Sequence, residues 1–310
     1  MSRELLFSVG AGLTCAVLAI AVPFAAPLPL FLAGLGLGIT GLLVAGAATL
    51  AAALLAGGLP AVLSLGAITV VPVLLLVRQA LLAQPGDNGG TVWYPAERLV
   101  LLLTGLATAL VALGIMLLAG HPGGPEAAVG QTMTEYGQVL LEQGVIDDPA
   151  MVGMLTAMLT PVLPGTMGAM WMAMMAMNGS LAQNILVRSG RNLRPATDLA
   201  MFRLPTVALA PVAVAAGLAM TMDGTVAWAG VSFAIVFAMP WFFCGLAVVH
   251  VASRRWPARP LVLAGFYGLV VMLGGLAGIV VVMLGVAEHW LDLRSRLTGA
   301  AGRGPGGPGS

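Results

Sequence analysis

The sequence has no lysine, only two cysteines and few charges of either sign. Asp, Glu, Lys and Arg make up 8% of the 310 residues, and all 13 basic residues are arginine. Soluble globular domains carry roughly 25% charged residues, so this chain cannot build a water-soluble surface. Cys15 and Cys244 each lie in an apolar stretch. We therefore predict two buried thiols, and neither a disulfide framework nor a cysteine-based metal site.

Signatures of enzymes and of nucleic-acid-binding proteins are also missing. The chain contains no HExxH, no GxSxG and no phosphate-binding P-loop. None of its apolar stretches holds a central pair of acidic residues for intramembrane catalysis. A basic domain that could bind nucleic acid is absent as well. We predict a protein that is not an enzyme and that uses no cofactor, no metal and no nucleic acid.

Long hydrophobic runs are what the chain does have. Hydrophobic residues make up 59% of it, and the mean hydropathy is +1.01. Residues 5–77 contain no charge, whereas one crossing of a bilayer needs about 20 apolar residues. The predicted fold class is therefore all-α: a polytopic transmembrane helical bundle of about eight to ten spans with a short second span, formed by residues 1–298. We place it in the bilayer of a bacterial inner membrane.

Apolar segments and their breaks give the predicted spans. They cover residues 5–22, 28–38, 39–56, 60–82, 97–119, 151–187 with a break, 205–222, 225–251 and 261–288. The last segment allows two arrangements, a single span or a helical hairpin broken at Gly274 and Gly275. The hairpin keeps Arg294 and Arg296 on the same side as Arg259, and the sequence leaves both arrangements open.

Arginine clusters set the predicted topology. Short loops that are rich in Lys or Arg face the cytoplasm. Residues 188–204 carry four arginines and residues 254–259 carry three, so we predict both segments to be cytoplasmic loops. With residues 28–38 counted as a span, Arg78 and Arg98 lie on the cytoplasmic side as well.

Two segments outside the spans have their own character. Residues 121–149 carry five acidic residues and no arginine, which we interpret as an outer loop. Val129, Met133, Tyr136 and Leu140 recur there at helical spacing, so we expect an amphipathic helix on the membrane surface. Residues 299–310 are rich in Gly and Pro, and we predict a disordered tail.

Three segments of the chain carry a resemblance to a known family. They are residues 178–195 (NGSLAQNILVRSGRNLRP) followed by Asp198 and residues 202–205 (FRLP), residues 245–250 (GLAVVH) with the arginines at 254 and 255, and residues 290–296 (WLDLRSR). These segments resemble the YybS-like family of predicted bacterial membrane proteins. That family has no established activity, so the resemblance implies a polytopic membrane fold and no reaction.

The first half of the chain contains the short apolar segment 29–38 (PLFLAGLGLG) and the Gly-rich residues 41–55. These segments are similar to the short second helix and the third helix of the substrate-binding S components of energy-coupling-factor vitamin transporters. The resemblance implies six helices with both termini inside and a small-molecule site. It also implies that Gly12 and Ala16 face a separate coupling subunit.

Polar residues inside the apolar segment 151–187 are the candidate substrate-binding residues. Amides there lose their hydrogen bonds to water and must find partners within the protein. They either join helices or line a cavity, and the sequence allows both. The candidates for the cavity are Trp171, Asn178, Gln183 and Asn184.

Arginines near the predicted interface are the candidate contacts for a partner. Arg188, Arg191 and Arg194 repeat every three residues. In a helix they would form one stripe that could hold phosphate groups, and they serve equally as charges that set topology. Arg254 and Arg255 are candidates for the same cytoplasmic interface. Farther along, Asp292 and Arg296 stand four residues apart, which predicts an ion pair within a helix.

Two functions follow from these observations. The leading hypothesis is a membrane-embedded component that binds or transports a small molecule, with energy supplied by a separate coupling protein because the chain has no nucleotide-binding motif of its own. The alternative is a membrane scaffold or regulator that recruits a partner protein through its Arg-rich loops. A polar-lined cavity distinguishes the first function from the second.

Overall fold

The chain folds almost entirely into helices, which confirms the all-α prediction. The structure, a computed structural model, describes residues 3–86, 89–196 and 202–299, without the side chains of 298 and 299. A small antiparallel hairpin pairs β1 (Ala83–Pro85) with β2 (Thr91–Trp93). The helices are α1 (Arg3–Ala21), α2 (Pro27–Leu65), α3 (Val71–Ala80), α4 (Ala96–Leu118), α5 (Gly124–Glu142), α6 (Pro149–Leu159), α7 (Leu163–Arg188), α8 (Ala210–Thr221), α9 (Gly224–Ser253), α10 (Arg259–Leu273), α11 (Gly275–Leu291) and α12 (Leu293–Gly299).

Four helices in the described part of the chain are long and apolar enough to cross a bilayer. They are α1, the continuous run Pro23–Ala80, α4 and α9. A fifth candidate consists of α6 and α7, which meet at a bend of 71° where the sequence predicts a break. This count is lower than the predicted number of spans. The sequence divides Pro23–Ala80 into three spans and also counts the shorter apolar helices.

The run Pro23–Ala80 turns back on itself for the first time at Gly38. The φ angle of this glycine is 78°, a value that residues with a side chain rarely adopt. A Cβ placed on Gly34 would lie 3.1 Å from Cδ2 of Leu42. Eight residues along a straight helix cover about 12 Å, so the chain reverses between these two positions. The predicted boundary between the second and third spans is confirmed.

A second reversal lies at Gly58, whose φ angle is 65°. A Cβ on Gly46 would lie 3.0 Å from Cγ1 of Val70, and a Cβ on Gly66 would lie 3.6 Å from Cδ2 of Leu50. Both contacts pair residues at equal distances before and after Gly58. The two segments are therefore antiparallel, as the predicted third and fourth spans require.

The first helix packs closely on α2. Thr49 donates a hydrogen bond to the carbonyl oxygen of Gly12 at 3.0 Å. A Cβ on Gly12 would collide with the backbone of Ala45, so only glycine allows this approach. The implied role of Gly12 in docking a coupling subunit is wrong, because this surface of α1 is covered by α2 of the same chain.

The chain forms two compact units, Met1–Val129 with Thr166–Ala196 (unit 1) and Gly130–Gly165 with Thr197–Ser310 (unit 2). In unit 1 the loop after α7 forms hydrogen bonds to three other segments of the chain. Arg194 donates to the carbonyl oxygens of Ala80 and Tyr94, and the backbone N–H of Leu193 donates to Leu35. The end of α3, the start of α4 and the Gly38 turn therefore share one end of the unit with this loop. That these segments face the cytoplasm stays a prediction.

Unit 2 is built around α9, which α8 and α11 flank. A Cβ on Gly230 would lie 2.7 Å from the backbone N of Ala219. On the other flank, a Cβ on Gly245 would collide with the backbone of Val281, and one on Gly285 with that of Trp241. These two contacts run in opposite order along α9 and α11, so the helices are antiparallel. Glycine at such contacts lets helix backbones approach closely.

Three further predictions concern the segment after α4, residues 261–288 and the C-terminal tail. The segment after α4 is helical, as predicted, and forms α5. Between α10 and α11 the chain breaks at Gly274, whose φ angle is 52°, so residues 261–288 are not one continuous helix. Gly299 is the last residue of α12, and the rest of the predicted disordered tail lies outside the described residues, as does Asp198.

Candidate functional site

Trp171 and Asn178, predicted to line a cavity, bind backbone carbonyl groups of unit 1. Asn178 is 2% exposed, and its Nδ2 donates to Phe24 at 2.7 Å and to Met174 at 2.8 Å. Nε1 of Trp171 donates to Ile68 at 2.9 Å. These hydrogen bonds tie α7 to the N-terminal run, which is the helix-joining role that the sequence also allows.

Gln183 and Asn184 lie nearer the end of α7. Nε2 of Gln183 donates to the carbonyl oxygen of Arg194 at 2.5 Å, so this amide fixes the loop that follows the helix. The side chain of Asn184 is exposed. The four predicted cavity residues therefore do not converge on one described cavity, and three of them use their donors to hold the backbone.

The predicted arginine stripe is wrong because α7 ends at Arg188. Gly190 follows with a φ angle of 66°, and the backbone N–H of Arg191 donates to Leu186 at 2.9 Å. This is the hydrogen-bond pattern with which a glycine in the left-handed region ends a helix. Arg188 and Arg191 are exposed, while Arg194 turns inward and is 7% exposed.

Arg194 binds the backbone of its own unit rather than phosphate. Its Nη1 donates to Ala80 at 3.1 Å and its Nη2 to Tyr94 at 2.9 Å. Burial lowers the pKa of this guanidinium, yet arginine keeps its charge at any physiological pH. The other two partner candidates, Arg254 and Arg255, follow α9 and are exposed.

Unit 2 contains a polar cleft of about 120 Å³. It lies where α9 and α11 meet the short helix α12 and the chain that leads into α8. Charged and polar side chains line it between helices that are otherwise apolar. The lining includes Arg203, Trp241, Cys244, Glu288, His289 and Arg294.

A buried ion pair forms one wall of the cleft. Nε of Arg294 lies 2.8 Å from Oε1 of Glu288, and the two side chains are 3% and 4% exposed. The backbone N–H of Arg294 donates to Oε2 of Glu288 at 3.2 Å. Such a pair persists in an apolar surrounding only because each charge is matched and hydrogen-bonded.

A left-handed residue makes this pairing possible. Asp292 ends α11 with φ 48° and ψ 48°, and α12 begins at the next residue. The change of direction brings Arg294 back onto Glu288, six residues earlier. The predicted ion pair between Asp292 and Arg296 is wrong, because the carboxylate of this left-handed residue is directed at Arg203 instead.

Asp292 instead pairs with Arg203 near the cleft. Nη2 of Arg203 lies 2.6 Å from Oδ1 of Asp292, and the two side chains are 59% and 45% exposed. Hydrogen bonding from Ser295 and the Arg203 guanidinium hold the pKa of Asp292 below its usual range. The cleft therefore has one ion pair buried in its wall and one exposed beside it.

Aromatic and polar groups complete the lining. Nε2 of His289 lies 2.8 Å from Oγ1 of Thr206, within hydrogen-bond distance. Its ring meets that of Trp241 edge-on, with centroids 5.9 Å apart, and Nε1 of Trp241 donates to Ala208 at 3.3 Å. These contacts fix the orientation of both rings.

Sequence reasoning did not select the cleft residues, although one signal for them was present. Arg203 belongs to the segment FRLP, and Arg294 to the segment WLDLRSR. Cys244 directly precedes the segment GLAVVH. Parts of two of the three segments that carry the resemblance to the YybS-like family, and the residue just before the third, thus line the cleft in unit 2.

No family model, no curated protein and no solved structure matches the chain. The resemblances to the YybS-like family and to S components therefore stay predictions from the sequence. The function is argued from the geometry of the cleft.

Proposed function

We propose that this multi-pass membrane protein binds a small polar molecule in the cleft of unit 2, as the ligand-binding component of a transport system. The observation that carries the proposal is the buried pair of Glu288 and Arg294 beside a cleft in an apolar helical bundle. Ionisable groups inside membrane bundles are costly, and they mark ligand or ion pathways.

The lining suits a polar ligand rather than an apolar one. Arg203 offers a guanidinium that is 59% exposed, and the other ionisable side chains of the lining include Glu288, His289 and Arg294. Small-molecule sites use a few such groups on largely apolar walls to fix orientation. Here Trp241 and Gly285 supply apolar wall.

The proposal also includes the orientation of the protein in the membrane and the source of energy for transport. The arginine-rich loops support an orientation with those loops in the cytoplasm of a bacterium. Since the sequence has no P-loop, energy for transport would come from a separate coupling protein.

A second candidate, a scaffold that recruits a partner protein, is favoured by one observation. Arg254 and Arg255 are both exposed on the turn between α9 and α10. An exposed pair of arginines presents charge to an acidic partner surface without involving the cleft.

One purification separates these two functions. Tagged full-length protein is taken from its native membranes into lipid nanodiscs, and mass spectrometry identifies the small molecules and proteins that accompany it. The variants are Arg203→Gln at the cleft and Arg254→Gln, a matched exposed arginine that does not line it.

For a ligand-binding component we expect a small molecule with the wild type and with Arg254→Gln, but not with Arg203→Gln. A coupling protein should accompany all three. Absence of any small molecule, together with a partner protein that Arg254→Gln loses, would overturn the proposal in favour of the scaffold.

A further inference from the structure

We propose that the ligand of the cleft carries a carboxylate, that Arg203 binds it, and that Asp292 occupies the position of this carboxylate when no ligand is present. The inference rests on the proposed function and names the class of ligand. It also assigns Asp292 as an internal competitor, which the exposed ion pair beside the cleft supports.

The two ion pairs differ in how readily they can separate. Glu288 holds Arg294 through both its side-chain Nε and its backbone N–H, and both residues are buried. Parting them would leave two opposite charges buried away from solvent and from each other. Arg203 and Asp292 are roughly half exposed, so water can solvate either group once they part, and such pairs contribute little net stability. Arg203 is therefore the guanidinium that a ligand can take over.

The backbone conformation of Asp292 is one that residues with a side chain rarely adopt. In the described parts of the chain Asp292 is the one residue other than glycine with a positive φ angle. Oγ of Ser295 donates to its carbonyl oxygen at 2.8 Å. Residues kept in sparsely populated conformations cluster at ligand sites. Here the conformation directs a carboxylate at Arg203.

Charge balance selects a carboxylate over other ligands. In the ligand-free cleft the positive charges of Arg203 and Arg294 are matched by Asp292 and Glu288. An incoming carboxylate that replaces Asp292 on Arg203 keeps the guanidinium neutralised and releases Asp292 to water. A cation has no position of this kind, because the exposed pair places its guanidinium, Arg203, in the cleft lining, while its carboxylate, Asp292, lies outside that lining. The planar guanidinium also fits a carboxylate through two parallel hydrogen bonds.

The experiment compares three probes of similar size that differ in charge. Acetate, acetamide and methylammonium are titrated into full-length protein in nanodiscs made of uncharged lipid. Saturation-transfer NMR on the probe methyl group gives the dissociation constant. The variants are Asp292→Asn, Arg203→Gln and the control Arg254→Gln, and Asp292→Gly serves if the amide variant does not fold, because glycine adopts the positive φ angle freely.

We expect the wild type and Arg254→Gln to bind acetate and neither of the other probes. Asp292→Asn should bind acetate about two- to fivefold more tightly, which is the range for removing an exposed ion pair that competes. Arg203→Gln should lose acetate binding. Equal binding of acetamide, or unchanged acetate affinity in both Asp292 variants, would overturn the inference.

The outcomes also separate this inference from the proposed function. If an uncharged or cationic molecule accompanies the wild type and is lost with Arg203→Gln, the proposed function stands and the carboxylate inference fails. If acetate binds as expected while no small molecule accompanies the purified protein, the carboxylate site stands and the transport role fails.

Discussion

Replacement of Gly285 by alanine tests the helix contact on which the cleft depends. A Cβ at this position would collide with the carbonyl oxygen of Trp241 and lie 2.8 Å from the backbone N of Gly245. Both obstacles are backbone atoms, so no side chain can rotate away to make room. We expect α9 and α11 to move apart at the wall of the cleft.

The expected loss in the free energy of unfolding follows from overpacking at a close helix contact. Inserting a methyl group into a well-packed interior costs about 1–3 kcal/mol. The upper part of this range applies here because the displaced groups belong to two helix backbones. Separation also disturbs Trp241, which lines the cleft, so acetate should bind the Gly285→Ala variant more weakly.

The loss of stability is measured by unfolding the protein with sodium dodecyl sulfate in mixed micelles and following its helix content by circular dichroism. The matched control is Gly278→Ala in the same helix, where a Cβ would meet nothing within 4 Å. The control should unfold at or above the wild-type detergent fraction, because alanine favours helix by about 1 kcal/mol over glycine. If Gly285→Ala is as stable as this control, the close approach of α9 and α11 is refuted.

The ion pairs of unit 2 give two further predictions. Glu288→Leu leaves Arg294 charged and buried without its carboxylate, so we expect a loss of about 3–5 kcal/mol in the same unfolding titration. The double variant with Arg294→Met should lose less, and an equal or greater loss would contradict the assigned pairing. The pKa of Asp292 is lowered, first by the hydrogen bond from Ser295 and then by Arg203. The carboxylate is therefore ionised and paired at any pH above the unfolded pKa of about 3.9. The ion pair is lost only when the pH falls through the lower pKa of the folded protein. We expect the NMR shift of its side-chain carboxyl carbon to stay constant between about pH 5 and pH 8, and a titration inside this window would count against the pairing.

Sequence reasoning located the helix reversals because their causes are local. Residues 28–38 are too short for a crossing by the length rule, and they were counted as one because only then do Arg3 and Arg78 lie on the same side. The local cause of both turns is the positive φ angle of Gly38 and of Gly58. Assigning amides such as Asn178 to helix joining or to a cavity needed the positions of distant carbonyl groups, which spacing does not contain.

The cleft could not be predicted from the sequence either, because its residues are distant from one another along the chain. Helical spacing paired Asp292 with Arg296, whereas a single left-handed residue ends α11 and redirects the chain. The real partners, Arg203 and Asp292, are 89 positions apart. Nothing in the local pattern around either residue indicates this pairing. Only the antiparallel packing of α9 and α11 brings the lining together.

The turn at Gly38 has a consequence for the order in which the protein is assembled. Gly38 interrupts the helix with a φ angle of 78°, and buried backbone groups at such a break need partners within the protein. They come from α7 and the loop that follows it: Leu186 packs over Gly36, and the backbone N–H of Leu193 donates to Leu35. A nascent chain that has not yet reached Leu193 leaves this turn uncovered. The first half of unit 1 therefore completes its burial only after α7 has been synthesised and has packed against it.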